Sequence, residues 1–183
     1  MNQAIKQRDI DSGQNRLIQP VPLVAGQNLY TINMGSFNSR TVGVLGIVVI
    51  YGNARARLGE RSYPEASSHF QPTTTYSQIP HVFAQMSPTQ VYVAPKPNQA
   101  YDAEWDTMVV SADLVNPNDV DPLPYPWTEP VPYLAAHLAR LQLQQYDEAQ
   151  QYKTLYQESL GAAANGVRGV FVPYPTPLAR SRL

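Results

Sequence analysis

Between Asn116 and Pro126 the chain carries four prolines interleaved with asparagine and aspartate, and the spacing of apolar residues differs on the two sides. Proline fixes φ and lacks an amide donor, so this stretch can continue neither a helix nor a sheet ladder. Before it, apolar side chains alternate or run continuously; after it they recur at three and four. The switch predicts an α+β protein, with an antiparallel β-rich part over 20–110 and an α-helical hairpin over 128–161. Residues 111–127 form the linker, 1–17 an N-terminal segment, 18–161 one domain, and 162–183 an extended C-terminal arm. With 183 residues, one domain with an appendage can bury a substantial core.

Residues 2–12 read as a short helix with Ala4, Ile5 and Ile10 on one side, ended by Ser12-Gly13. "VPLVAGQNLYTI" places two apolar runs around Ala25–Asn28, the pattern of a hairpin or tight strand connection. "TVGVLGIVVIYGN" is continuous and β-branched, as in a central strand covered on both faces, and Gly43 and Gly46 point to a bulge or a close approach. A Gly52-Asn53 turn leads into "ARARL", with Arg55 and Arg57 on one face. Ser62 caps a brief helix with Pro64 and Glu65 in its first turn, and Pro72 stops it. "PHVFAQM" and "QVYVAPKP" form a strand pair around Ser87-Pro88-Thr89. In "AYDAEWDTMVV", Tyr101, Ala103, Trp105, Thr107 and Val109 share one face, and Asp102, Glu104 and Asp106 the other.

Beyond the linker, Thr128 is the expected N-cap of a helix whose stripe is Val131, Leu134, Ala135, Leu138 and Leu141. A break near Gln145–Tyr146 and a second cap at Asp147 open another helix striped by Ala149, Tyr152, Leu155, Tyr156 and Leu160. His137 falls off the apolar stripe, at a hydrophilic position. Asn165-Gly166 is a helix stop. The arm that follows holds Val170, Phe171, Val172, Tyr174 and Leu178, too apolar for a solubilising tail, with Arg168, Arg180 and Arg182 and no acidic side chain. The arm is either a frayed terminus or a segment that orders on binding, its apolar residues filling pockets while the arginines meet acidic rims.

Charged residues are only 15% of the chain, which suits a subunit that buries its exterior against others and equally suits an uncharged polar surface. A net charge of -1 argues against a dedicated nucleic-acid binder, which needs clustered cations. Without cysteine there is neither a disulfide nor a thiolate metal site. No secretion signal and no membrane-length apolar run is present. His69, His81 and His137 are far apart, the Asp102–Glu104–Asp106 trio is a solvated strand face before it is a cation site, and nucleophile or phosphate-loop motifs are missing. The reading is of a non-enzyme with no catalytic residue, no metal and no cofactor. Arg40, Arg55, Arg57 and Arg61 make a small basic cluster that either touches DNA backbone or pairs with a neighbouring subunit.

The order of segments carries a resemblance. "VPLVAGQNLYTI", "VLGIVVIYGNARARL" and "SQIPHVFAQMSPTQVYVAPKPNQAYDAEWDTMVV" look like successive strands of tailed-bacteriophage head-to-tail adaptor proteins. The closest likeness lies in "DVDPLPYPWTEPVPYLAAHLARLQLQQYDEAQQYKTLYQESL". The resemblance spans roughly residues 18–160, and the chain departs from many relatives by lacking a long N-terminal helical region. It implies a structural virion protein, assembled in the host cytoplasm, that forms a dodecameric ring of its own copies under the portal protein. It also implies a downstream tail or nozzle protein as partner, transient double-stranded DNA in the channel, no membrane, and a C-terminal extension against the portal. The competing reading is a β-rich receptor- or carbohydrate-binding module of a tail, which needs exposed aromatic platforms such as Trp105 and Trp127.

Overall fold

The computed structural model describes residues 1–68, 77–116 and 118–169, and it divides into two compact units at Pro122/Leu123. In chain order the elements are α1 (Asn2–Ser12), β1 (Arg16–Pro20), β2 (Leu29–Thr31), β3 (Thr41–Tyr51), β4 (Ala54–Arg57) and β5 (Gly59–Glu60). They continue with α2 (Tyr63–Ser68), β6 (Ser77–Gln78), β7 (Val82–Ser87), β8 (Gln90–Ala94), β9 (Lys96–Pro97) and β10 (Asp102–Val109). The second unit is built on α3 (Pro130–Gln142) and α4 (Tyr146–Gly169).

The first unit is a sandwich of two four-stranded sheets, ordered β1-β10-β3-β4 and β2-β8-β7-β5, with β6 and β9 forming a separate two-stranded pair. The four-stranded sheets are antiparallel except where the two-residue β5 lies along β7, and β6 and β9 also run parallel. Their inner faces share one core, including Leu23, Ile32, Ile47, Val49, Phe83, Val91, Val93 and Trp105. Alternation in β10 does what its pattern predicts: Ala103, Trp105, Thr107 and Val109 are buried, and Asp102, Glu104 and Asp106 face outward. Trp105 is fully buried, edge-on to Phe37 at 4.9 Å, and its indole N–H donates to the Val21 carbonyl at 2.8 Å. The outer face of the second sheet is closed by α2, which places Ala66 in a cluster with Val82, Ala84, Tyr92 and Ala94.

The turn at Gly26 forms, with φ +75° and Gln27 N–H donating to the Val24 carbonyl, but its flanks do not pair with each other. Val21 hydrogen-bonds to Ala103 of β10 and Leu23 to Tyr101 just before it, while Leu29–Thr31 pair with β8. This turn therefore carries the chain from one sheet to the other instead of closing a hairpin. In β3 the glycines mark bulges as expected: the register skips Leu45 between Gly46 and Val44, and Val42 between Gly43 and Thr41. The extra residue at Leu45 lets Val44 and Ile47 both reach the core although they are three apart. β3 is central, yet only its inner face is core; Val48 and Ile50 on the outer face are half-buried.

Ser62 does begin α2. Glu65 accepts from the Ser62 hydroxyl and backbone N–H, and these bonds hold its carboxyl below the usual glutamate range. The stop expected at Pro72 lies outside the described residues. α1 ends at Gly13 (φ +61°) as expected, but Ile10 is exposed and the buried face is Ala4, Ile5, Arg8 and Asp9.

In the helical unit α3 is capped at Glu129, with no side-chain cap bond and Pro130 in the first turn, so Thr128 is not the cap. Asp147 lies inside the first turn of α4 beside Glu148, where carboxylates suit the helix dipole, rather than at the cap. Gln144 takes φ +59° to turn the chain. Val131, Leu134, Ala149 and Tyr156 are buried, whereas Leu141 and Leu155 on the anticipated stripes are exposed. α4 also runs past Asn165-Gly166 to Gly169, so that pair does not stop it. Its distal part packs Leu160, Ala163 and Ala164 on Leu123 and Trp127. His137 is not a free polar position: its Nδ1 lies 2.8 Å from the Ala149 carbonyl, an acceptor only, so Nδ1–H donates and ties α3 to α4. Replacing His137 with Leu is expected to cost about 0.5–1.5 kcal/mol, read as an earlier urea midpoint; an unchanged midpoint would make the bond dispensable.

Candidate functional site

β3 and β10 are the central strands of their sheet, and their outward residues sit among those of the edge strands β1 and β4. Each residue on β4 faces its partner on β3, with Arg57 opposite Val48 and Arg55 opposite Ile50. Two-residue periodicity then sends both arginines to the outer face, as the sequence predicts. There they meet Glu104 and Asp106 of β10 and Arg16 and Ile18 of β1 around a groove of about 500 Å³. Gly46 and Val48 complete its floor.

The electrostatics of the groove follow from its pairs. Arg55 is ion-paired to Glu104, and Arg16 lies 3.7 Å from Asp106. Arg57 has no carboxylate at ion-pair distance among the described residues; it makes one long contact, 3.5 Å, to the Leu45 carbonyl. Its guanidinium lies over Gly46, where an added Cβ would come within 3.2 Å of Nη2. Glycine there makes room for an arginine laid flat on the sheet. Three arginines face two carboxylates, leaving one positive charge. Interleaved carboxylates make this a poor seat for a phosphate backbone, which favours clustered cations, and a good one for a mixed protein surface.

The four arginines of the expected cluster are therefore split. Arg55 and Arg57 come together and are joined by Arg16, which the sequence reading did not include. Arg40 is exposed ahead of β3, its carbonyl accepting from Val110 N–H, and Arg61 follows β5 of the other sheet, its N–H donating to the Phe83 carbonyl. Among the arm residues, Val170, Phe171, Val172, Tyr174, Leu178, Arg180 and Arg182 lie outside the described residues, and of Arg168 only the helical backbone is described. His69 also lies outside them. Trp105 and Trp127 are both buried, so neither is an exposed aromatic platform.

One constellation has no counterpart in the sequence reading. Arg8 is completely buried and donates from Nη1 and Nη2 to both oxygens of Asp121, at 2.6 and 2.8 Å, and from Nη2 to Asp9 at 2.6 Å. The other Asp9 oxygen accepts from the backbone N–H and hydroxyl of Ser111 and from Asn15. Burial pulls the Arg8 pKa down, but the hydrogen bonds and charges of Asp121 and Asp9 outweigh it and hold the pKa above its ordinary value. Reciprocal bonds between Asn2 and Leu114, and the Lys6–Asp113 ion pair, extend the same seam. It pins α1 to the segment 111–121 and is structural. The signal was present as Ala4, Ile5, Arg8 and Asp9 at i, i+1, i+4 and i+5, one helix face.

Among the described residues no helix is long and apolar enough to cross a membrane. A search of curated proteins finds no match to the chain. The profile of the SU10 adaptor protein family matches residues 1–180, nearly the full length and both structural units. This chain belongs to the SU10 adaptor protein family, a family of structural phage head-tail adaptors.

Proposed function

We propose that this protein is the subunit of a ring, a dodecamer, that sits beneath the portal of the phage particle and offers the platform to which a tail or nozzle protein attaches. The family match over residues 1–180 carries the reading. Exposed apolar side chains on both units support it: Ile18, Val24 and Met34 on the sandwich, Leu143 and Tyr146 on the helical unit. Single exposed apolar residues are ordinary, but a subunit with two flanks to cover needs several. The chain has no catalytic role in this reading, joins the particle in the host cytoplasm, and binds no membrane. Negative-stain images of the purified protein mixed with its portal are expected to show rings on the portal; portals that stay bare at micromolar adaptor would overturn the reading.

The portal contact is assigned to the arm, through Arg168, Val170, Phe171, Val172, Tyr174, Leu178, Arg180 and Arg182. Because α4 runs to Gly169, the informative truncation removes 170–183. The shortened protein is expected to keep its circular dichroism spectrum and to lose portal attachment. Wild-type affinity for the portal after truncation would rule the arm out.

DNA passes through the channel without being gripped. Net charge is -1, and the arginine group of the sheet-face groove is interleaved with carboxylates, so no broad positive field forms over that face. Binding of duplex DNA at physiological salt is expected to be weaker than micromolar; a submicromolar Kd would contradict this.

A further inference from the structure

The groove on the outer sheet face is concave, part apolar, and left with one uncompensated cation. Its floor includes Ile18, 64% exposed, beside Val48, and its spare charge is Arg57. The turn between α3 and α4 has the opposite character. It is convex and presents Leu143 and Tyr146, 65% and 66% exposed, next to Asp147. Arg140 pairs with Glu148 there, at 3.2 Å, which leaves Asp147 as a carboxylate at the turn with no cation at ion-pair distance among the described residues.

Resting on the ring reading above, we infer that the sheet-face groove receives the α3–α4 turn of a second copy of this chain, with Leu143 and Tyr146 over Ile18 and Val48 and Asp147 on Arg57. Three complementarities support this occupant: concave against convex, apolar against apolar, and one spare cation against one spare carboxylate. A guanidinium laid flat over a glycine turns its donor edges along the sheet into the groove, and a carboxylate seated beside it there accepts N–H bonds from such an edge. The two patches are different surfaces of one chain, so the contact is heterologous, the kind that closes into a ring when the rotation allows. The groove volume of about 500 Å³ accommodates large side chains, and the neighbouring Arg16–Asp106 and Arg55–Glu104 pairs form a polar rim.

The test uses the full chain with and without its portal, reading ring yield by mass photometry and electron microscopy. Arg57→Glu and Asp147→Arg are each expected to lower ring yield at least tenfold, because like charges then face each other. The combined variant is expected to recover most of the yield, with circular dichroism unchanged in all three. A second readout uses the absence of cysteine in the chain. The pair Ile18→Cys and Leu143→Cys in one chain, treated with a short bismaleimide, is expected to give a ladder of dimers, trimers and larger species. Either single variant is expected to stay monomeric on the same gel. Single charge reversals that assemble like the wild type, a combined variant that stays impaired, or no ladder would overturn this contact and leave the ring reading standing. Rings that persist while portal binding is lost would assign the groove to the portal and also overturn it. A wild-type protein that forms no ring with or without portal would remove the ring reading and this inference together.

Discussion

Replacing Arg8 with Met is expected to destabilise the sandwich by about 3–5 kcal/mol, among the largest effects of any single substitution. The loss does not come from the worth of the ion pairs themselves, since desolvating three charges offsets much of their attraction. It comes from what is left behind. Asp9 is fully buried, and Asp121 is 15% exposed; without the guanidinium their two negative charges remain in a site built around a cation. Asp9 keeps its bonds from Ser111 and Asn15 but loses its counter-charge. For a chain of this size such a loss lowers Tm by roughly 10 °C, measurable by differential scanning calorimetry. The triple change Arg8→Met, Asp9→Leu, Asp121→Leu is expected to be milder than Arg8→Met in its charge penalty, although Leu at 9 orphans the Ser111 donors. A melting temperature unchanged in Arg8→Met would show that water reaches the seam and solvates the carboxylates.

Trp105→Ala is expected to cost a further class of energy, about 3–5 kcal/mol from lost apolar contact and an unfilled cavity. Trp105 is fully buried between the sheets, with Tyr30 tilted against it at 5.4 Å and Phe37 edge-on. Residues from both sheets surround it, so relaxation of one sheet alone cannot close the hole. Trp105→Phe separates two contributions. Phenylalanine restores most of the ring contact but leaves the Val21 carbonyl without its indole donor, a cost of about 1–3 kcal/mol. The expected order of urea midpoints is wild type, then Phe, then Ala. Equal midpoints for Phe and Ala would mean that the hydrogen bond, not the volume, dominates.

Local pattern alone determined the elements of this protein wherever one residue type imposes one backbone geometry. Prolines 122, 124 and 126 forced the break before α3, and strict alternation in β10 put Trp105 inward and its carboxylates outward. Gly43 and Gly46 marked the bulges of β3, because a bulge tolerates a missing side chain better than an even ladder does. The same alternation placed Arg55 and Arg57 together, which is the part of the candidate site that was legible. The tertiary structure decided everything that joins residues far apart in the chain. Arg8 meets Asp121 across 113 residues, and no local spacing encodes that partner. Arg16 enters the groove only because β1 pairs with β10, which lies nearly ninety positions later. The Gly26 turn looks like a hairpin from its residues, yet its flanks pair in different sheets, the first with Tyr101 and Ala103 and the second with β8. Turn chemistry is local and therefore visible in the sequence; strand partnership is a competition among all available edges, and only the folded chain resolves it.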